Sequence, residues 1–164
     1  MAEAQATALA PFSGEGGENP YTLHMELQQA MNDLVGIIRK AEEIEQALER
    51  LEGLKARART LTVEGHRQFN PGWHLALDLR NMLVVSECVA KAALLRTESR
   101  GGHTRDDYPG MDPEWRRKLL VCRTTGPSEV DVEVKAQIPI REDLLELFDR
   151  GELEKYLTGD ELGS

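Results

Sequence analysis

Between residues 73 and 100 this sequence is apolar on too many sides for an ordinary surface helix. Leu75, Leu77, Leu79, Met82, Leu83, Val84, Val85, Val89, Ala93, Leu94 and Leu95 cover well over half the circumference of a helix from about Trp73 to Arg100. A surface helix shows a single apolar stripe. One like this is buried on more than one side, so it belongs at the centre of whatever the chain builds. Two flanking helices cover only part of it, and the remainder docks elsewhere.

Two such flanking helices precede it. ENPYTLHMELQQ reads as a helix start, where Asn19 caps and Pro20 in the first turn gives up no hydrogen bond. Leu23, Leu27, Met31, Leu34 and Ile38 then recur at steps of three and four, which predicts an amphipathic helix to about Arg39. A second helix spans roughly 42–59 with a narrow stripe of Ile44, Leu48, Leu51, Leu54 and Ala58, as suits an outer helix of a bundle. Its acids Glu42, Glu43 and Glu45 lie at the start and its bases Lys55, Arg57 and Arg59 at the end, in accord with the helix dipole. These charges read as a solvated face. In HRQFNPGWH, Asn70, Pro71 and Gly72 mark a turn or a fresh helix start.

Downstream, WRRKLLVCR is a plausible strand. EVDVEVKAQI alternates, with Val130, Val132, Val134, Ala136 and Ile138 on one side and Glu129, Asp131, Glu133, Lys135 and Gln137 on the other. TTGPS between them supplies turn residues for a hairpin. A lone hairpin is not stable, so its apolar face must rest on the bundle or on a neighbour. The fold class is therefore mainly α: a three-helix, spectrin-repeat-like bundle over 19–100, a loop over 101–112, a β-hairpin over 113–140 and an acidic helical tail over 141–164, broken near Gly151. Residues 1–18, aperiodic in alanine, glycine and proline, read as a linker or a severed end.

Composition removes several function classes. A formal charge of -9 over 164 residues leaves no basic patch for nucleic acid and disfavours an anionic membrane surface. No apolar run approaches the ~20 residues of a membrane helix, and the N-terminus lacks the basic and apolar regions of a secretory signal. Cys88 and Cys122 stand far apart without CxxC spacing and read as two reduced, buried thiols of a cytoplasmic protein. His24, His66, His74 and His103 show no paired ligand spacing, so no metal site is assigned. Trp73 and Trp115 read as anchors at the edge of a core.

The chemistry-bearing stretch is ESRGGHTRDDYP, Glu98 to Pro109. Gly101 fits the left-handed position just past a helix end. Arg100 and Arg105 carry planar forks suited to carboxylates or backbone carbonyls. The stretch reads as a capped helix end with a solvated turn, or as an ion-paired docking loop. His103 has no base or nucleophile beside it in sequence, and no catalytic, cofactor-binding or metal residue is assigned.

The order NPYTLHMELQQAMNDLVGIIR, a polar second helix, then an apolar helix closing in RTESRGGHTRDDYP, resembles the C-terminal helical domain of succinate dehydrogenase and fumarate reductase flavoprotein subunits. L-aspartate oxidase carries a similar domain. WRRKLLVCR followed by EVDVEVKAQIPI resembles the family's hairpin, so the likeness covers about Asn19 to Ile140. It implies a structural and docking module, non-catalytic alone, of an FAD-dependent parent oxidoreductase exchanging succinate and fumarate. The FAD and the dicarboxylate site lie in preceding flavin-binding and capping domains, which are the expected partners together with an iron-sulfur subunit. The parent is expected to be cytoplasmic, peripheral on the inner face of the cytoplasmic membrane. Glu98, Ser99, Arg100, His103, Arg105, Asp107 and Tyr108 are carried over as an interdomain motif loop, and the third helix with the Glu98 to Pro109 loop is expected to brace the module against the flavin domain. ALAPFSGEGGENP resembles the linker from that domain, so the chain is read as an excised piece beginning at a domain boundary. The tail after Arg141 has no counterpart in the better-known members. A free-standing helical interaction module is the competing reading.

Overall fold

Two helices of this protein begin in the same way. Asn19 accepts the Tyr21 N–H at 2.9 Å and Asn70 accepts the Trp73 N–H at 3.1 Å, each with a proline in the first turn, as the sequence dictates. In the computed structural model, which describes residues 2–126, 129–155 and 157, they open α2 (Pro20–Leu34) and α4 (Pro71–Leu95), with α3 (Ala41–Ala58) between them. The three pack around Leu23, Leu27, Ile44, Ala47, Leu51, Ala76, Leu79 and Leu83, all buried. This is the mainly α bundle that the apolar periodicity requires.

The central helix is covered from two directions. One side meets α2 and α3. Against the other lies an antiparallel hairpin of β3 (Lys118–Gly126) and β4 (Glu129–Ala136), in which Leu120 faces Val134, Cys122 faces Val132 and Thr124 faces Val130. Lys91 Nζ on α4 donates to Val130 O at 2.6 Å and fixes the hairpin in place. The alternating face is covered only near its turn: Val130 is buried, whereas Val134 is 47% exposed and Ile138 80%. Pro127 and Ser128 of the expected turn lie outside the described residues. The WRRKLLVCR stretch starts as a 3-10 turn, Pro113–Arg117, before β3 begins, and Trp115 buries its ring there.

Three expected element boundaries differ from the structure. Residues 2–18, expected as a linker or a severed end, carry regular structure: α1 (Ala2–Leu9) and a 3-10 turn at Ala10–Phe12 that fold back onto the bundle. Trp73 Nε1 donates to Ala8 O at 2.7 Å, its ring lies 5.4 Å from that of Phe12, and Val63 N donates to Pro11 O. Gly17 passes so close to the 60–62 backbone that an added Cβ would sit 2.1 Å from Thr60 O. Second, α2 stops at Leu34 rather than near Arg39, because the chain turns to make β1 (Ile38–Arg39), which pairs in parallel with β2 (Thr104–Arg105). Third, α4 ends at Leu95 rather than Arg100, for a reason given below.

The charges of α3 are not all solvated either. Lys55 is buried and holds Glu87 of α4 at 2.6 Å, while Lys91 pairs with the other Glu87 oxygen at 2.7 Å. In the tail, α5 (Glu142–Leu145) and α6 (Arg150–Leu153) are single turns. Gly151 lies inside α6, where Asp149 caps its N–H at 2.8 Å, so the break falls just before it. Residues 156 and 158–164 of the expected tail lie outside the described residues.

Candidate functional site: the closed polar loop after α4

An α-helix ends with carbonyls that have no partner within it and with partial negative charge. At the end of α4 the Arg105 guanidinium fills this role. Its Nη1 donates to Ala93 O at 2.8 Å, Leu94 O at 2.9 Å and Arg96 O at 3.2 Å. This is why α4 stops at Leu95, short of the length its apolar content predicts: the loop inserts a cation at that point. The other edge of the fork holds Asp107 through contacts of 2.7 and 2.6 Å. Arg105 is 1% exposed.

Asp107 works at the opposite kind of helix end. Residue 40, which precedes α3, is a lysine and makes no side-chain cap. The Asp107 carboxylate accepts the Ala41 N–H instead, at 3.1 Å. One ion pair therefore places its cation at the negative end of α4 and its anion at the positive end of α3. The hydrogen bonds from Arg105, aided by the Ala41 N–H, lower the Asp107 carboxyl to about 2 against the opposing effect of burial.

Glu98 is the second charged centre and is 1% exposed. It accepts from Arg96 at 2.5 and 2.8 Å, from Arg100 at 3.0 Å and from the Asp112 N–H at 3.0 Å. Burial opposes its charge, yet the Arg100, Arg96 and backbone hydrogen bonds outweigh it and hold the carboxyl at about 2. Arg96 also lies over the Trp115 ring at 5.7 Å, and Trp115 Nε1 donates to Thr97 Oγ1 at 3.0 Å, so the same cluster seats the start of the hairpin.

His103 has both ring nitrogens engaged. Arg39 Nη1 donates to Nδ1 at 2.7 Å, which places the proton on Nε2, 3.2 Å from Arg96 O. Burial first, then the charges of Arg39, Arg105 and Arg96, push its pKa below the usual range. It is a neutral spacer among cations, not a poised acid. Gly101 has φ +59 as a left-handed position should, but it serves a tight turn between Arg100 and His103, whose backbones exchange hydrogen bonds of 2.8 and 3.0 Å. The expectation that it follows directly on the helix end is corrected. Ser99 ties the ring together: its hydroxyl accepts the Arg105 N–H at 2.8 Å and lies 2.8 Å from Tyr108 O, while its own N–H donates to Gly110 O. Tyr108 stacks its ring 5.0 Å from the Arg105 guanidinium and is itself 43% exposed.

The structure thus brings all seven motif residues together and adds partners that sequence reasoning did not name: Arg39, Ala41, Arg96, Asp112 and Trp115. Arg96 stands two positions before Glu98 and was within reach of a local reading. Arg39 and Ala41 sit some 60 positions away, with no local signal. Among the described residues no group of three or more histidine, cysteine, aspartate or glutamate side chains is gathered for a metal, and no helix is long and apolar enough to cross a membrane.

A bundle, an appended hairpin and a loop whose charges bind one another describe a structural module, held together by packing and internal ion pairs. The family model described as "Fumarate reductase flavoprotein C-term" matches residues 24–146, and the chain belongs to that family. It is the C-terminal domain found in succinate dehydrogenase and fumarate reductase flavoprotein subunits and in L-aspartate oxidase. A fumarate reductase (CoM/CoB) chain of Methanothermobacter marburgensis is 37% identical over 113 residues, 69% of this chain and 21% of that protein. L-aspartate oxidase of Acinetobacter baylyi is 36% identical over 115 residues, 70% of this chain and 19% of its own. A solved chain of Mycobacterium smegmatis Sdh1 in complex with UQ1 is 61% identical over 99% of this chain and 28% of that one, with a TM-score of 0.88. The chain spans about a fifth of the length of the curated relatives it matches, and its tail has a counterpart in the mycobacterial structure.

Proposed function

We propose that this chain is the C-terminal brace of an FAD-dependent flavoprotein that converts succinate or fumarate, packing against its flavin-binding and capping domains and non-catalytic by itself. The observation that carries the reading is the family match over residues 24–146 joined to a loop whose charged groups are paired within the chain. This favours the brace over a free-standing interaction module.

The manner of bracing differs from a direct reading of the motif. The Arg100 and Arg105 forks are already engaged by Glu98 and Asp107, so they shape the docking surface rather than reach across it. Ile37 and Ile38, 70% and 64% exposed and hydrogen-bonded through β1 to the loop, supply the apolar contact beside it. On the likeness to fumarate reductase and succinate dehydrogenase flavoprotein subunits, FAD is assigned to the flavin-binding domain, an iron-sulfur subunit to the assembly, and its place to the inner face of the cytoplasmic membrane.

Complementation tests this. The flavin and capping domains are produced separately, this chain is added, and bound flavin and succinate-driven dye reduction are followed. Flavin retention and activity that appear only on mixing are expected. Two folded parts that neither bind nor gain activity would overturn the reading.

A further inference from the structure

Two thiols 34 positions apart in sequence meet where the hairpin lies on α4. Cys88 is on α4, next to buried Glu87. Cys122 is on β3 directly opposite Val132, and directly opposed residues of an antiparallel pair share a face. That face also carries Val130, buried against α4. The Cys122 thiol points at the Cys88 carbonyl, with Sγ 3.8 Å from the oxygen. Lys91, one turn along α4, holds Val130 O at 2.6 Å and fixes the hairpin at this level of the helix. Both cysteines are free and only half-buried, which leaves room for a small oxidant.

We propose that Cys88 and Cys122 form a peroxide-oxidisable pair that closes to a disulfide and staples the hairpin to α4. The first thiol, as its thiolate, attacks one peroxide oxygen; the O–O bond breaks, giving a sulfenic acid and one water. The second thiol attacks the sulfenic sulfur, and the departing hydroxide takes up its proton as a second water. Two thiols lose two electrons and two protons, and hydrogen peroxide accepts both. The bond encloses the whole polar loop and the 3-10 turn at Pro113–Arg117, so it restrains the segment that carries Glu98 and Arg105.

Burial, reinforced by the neighbouring sulfur, pushes the Cys88 thiol up. This sulfur is therefore largely protonated at neutral pH, and its own attack on peroxide waits on loss of that proton.

The test uses the 164-residue chain, reduced, freed of reductant and treated with a modest excess of hydrogen peroxide. Remaining thiols are alkylated, then intact mass and non-reducing peptide maps are recorded. The expected product is a monomer lighter by two hydrogens with the Cys88 and Cys122 peptides joined. Its Tm is higher by roughly 5–15 °C, and dithiothreitol reverses the rise. Cys88→Ser and Cys122→Ser each abolish the shift, and the wild-type peptide map decides the matter even where a variant folds poorly. Oxygen added to either sulfur without a crosslink, a disulfide-linked dimer, or two thiols still alkylated after peroxide would each overturn the proposal.

Discussion

Replacing Glu98 by glutamine removes one charge and leaves the shape nearly intact. In the native state this carboxylate is almost fully buried and receives two guanidinium groups and a backbone N–H. Its carboxyl sits at about 2 against an ordinary 4.5. At about 1.4 kcal/mol per unit, ionised Glu98 contributes about 3 kcal/mol to folding. The figure agrees with the ~3–5 kcal/mol typical when one member of a buried ion pair is removed. In a domain of this length it corresponds to a fall in Tm of roughly 6–12 °C. The sign of the pH dependence is fixed by the direction of the shift. A depressed carboxyl contributes stability that is fully present above about 4.5 and lost as pH falls toward 2. Urea unfolding followed by circular dichroism, on wild type and Glu98→Gln in parallel, measures the difference at each pH. The gap should be about 3 kcal/mol at pH 7.5 and should narrow steadily below pH 4.5, because a protonated Glu98 and the glutamine that replaces it are electrically alike. Other carboxylates titrate equally in both proteins and cancel. A gap under about 1 kcal/mol at pH 7.5, or one that stays constant down to pH 3, would refute the claim that Glu98 is a desolvated, arginine-held carboxylate.

Other perturbations probe the rest of the network. Arg105→Lys keeps the charge but loses the fork that serves Asp107 and three carbonyls at once; a loss of about 2–4 kcal/mol is expected in thermal or urea unfolding. His103 has a depressed pKa, so the unfolded chain takes up its proton first and stability falls as pH drops below 6.5; His103→Gln should flatten that limb, and an unchanged slope between pH 7 and 5 would speak against the buried neutral imidazole. Glu87→Gln takes away the buried carboxylate shared by Lys55 and Lys91 while Glu52 still holds Lys55, and should destabilise by about 1–3 kcal/mol, whereas the double change Lys55→Met with Glu87→Leu should recover most of it, as a double-mutant cycle would reveal. Trp73→Phe deletes the hydrogen bond to Ala8 O; faster limited proteolysis near residues 2–12, with little change in the bundle's own unfolding, is the expected outcome.

What the sequence by itself determined is what local periodicity and local chemistry encode. Leu23, Leu27, Ile44, Leu51, Leu79 and Leu83 recur at helical spacing and all end in the core, because an apolar stripe has one low-energy place to go. The Asn-Pro pairs at residues 19 and 70 set two helix starts for reasons confined to a single turn. The alternation from Val130 placed β4 in the same way. What only the tertiary structure decided are the helix ends and the partners of the charges. Arg105 has a fork that fits either a carboxylate or carbonyls, and nothing adjacent to it names the Ala93, Leu94 and Arg96 oxygens or the Asp107 that take it. Asp107 caps α3, a helix more than sixty positions earlier, and Lys55 is buried because Glu87 waits on the facing helix. The meeting of Cys88 with Cys122 follows from where the hairpin lands, not from their spacing. Periodicity is a property of neighbours along the chain. A buried charge or thiol is satisfied by whatever the fold brings beside it, and distance along the chain places no limit on that.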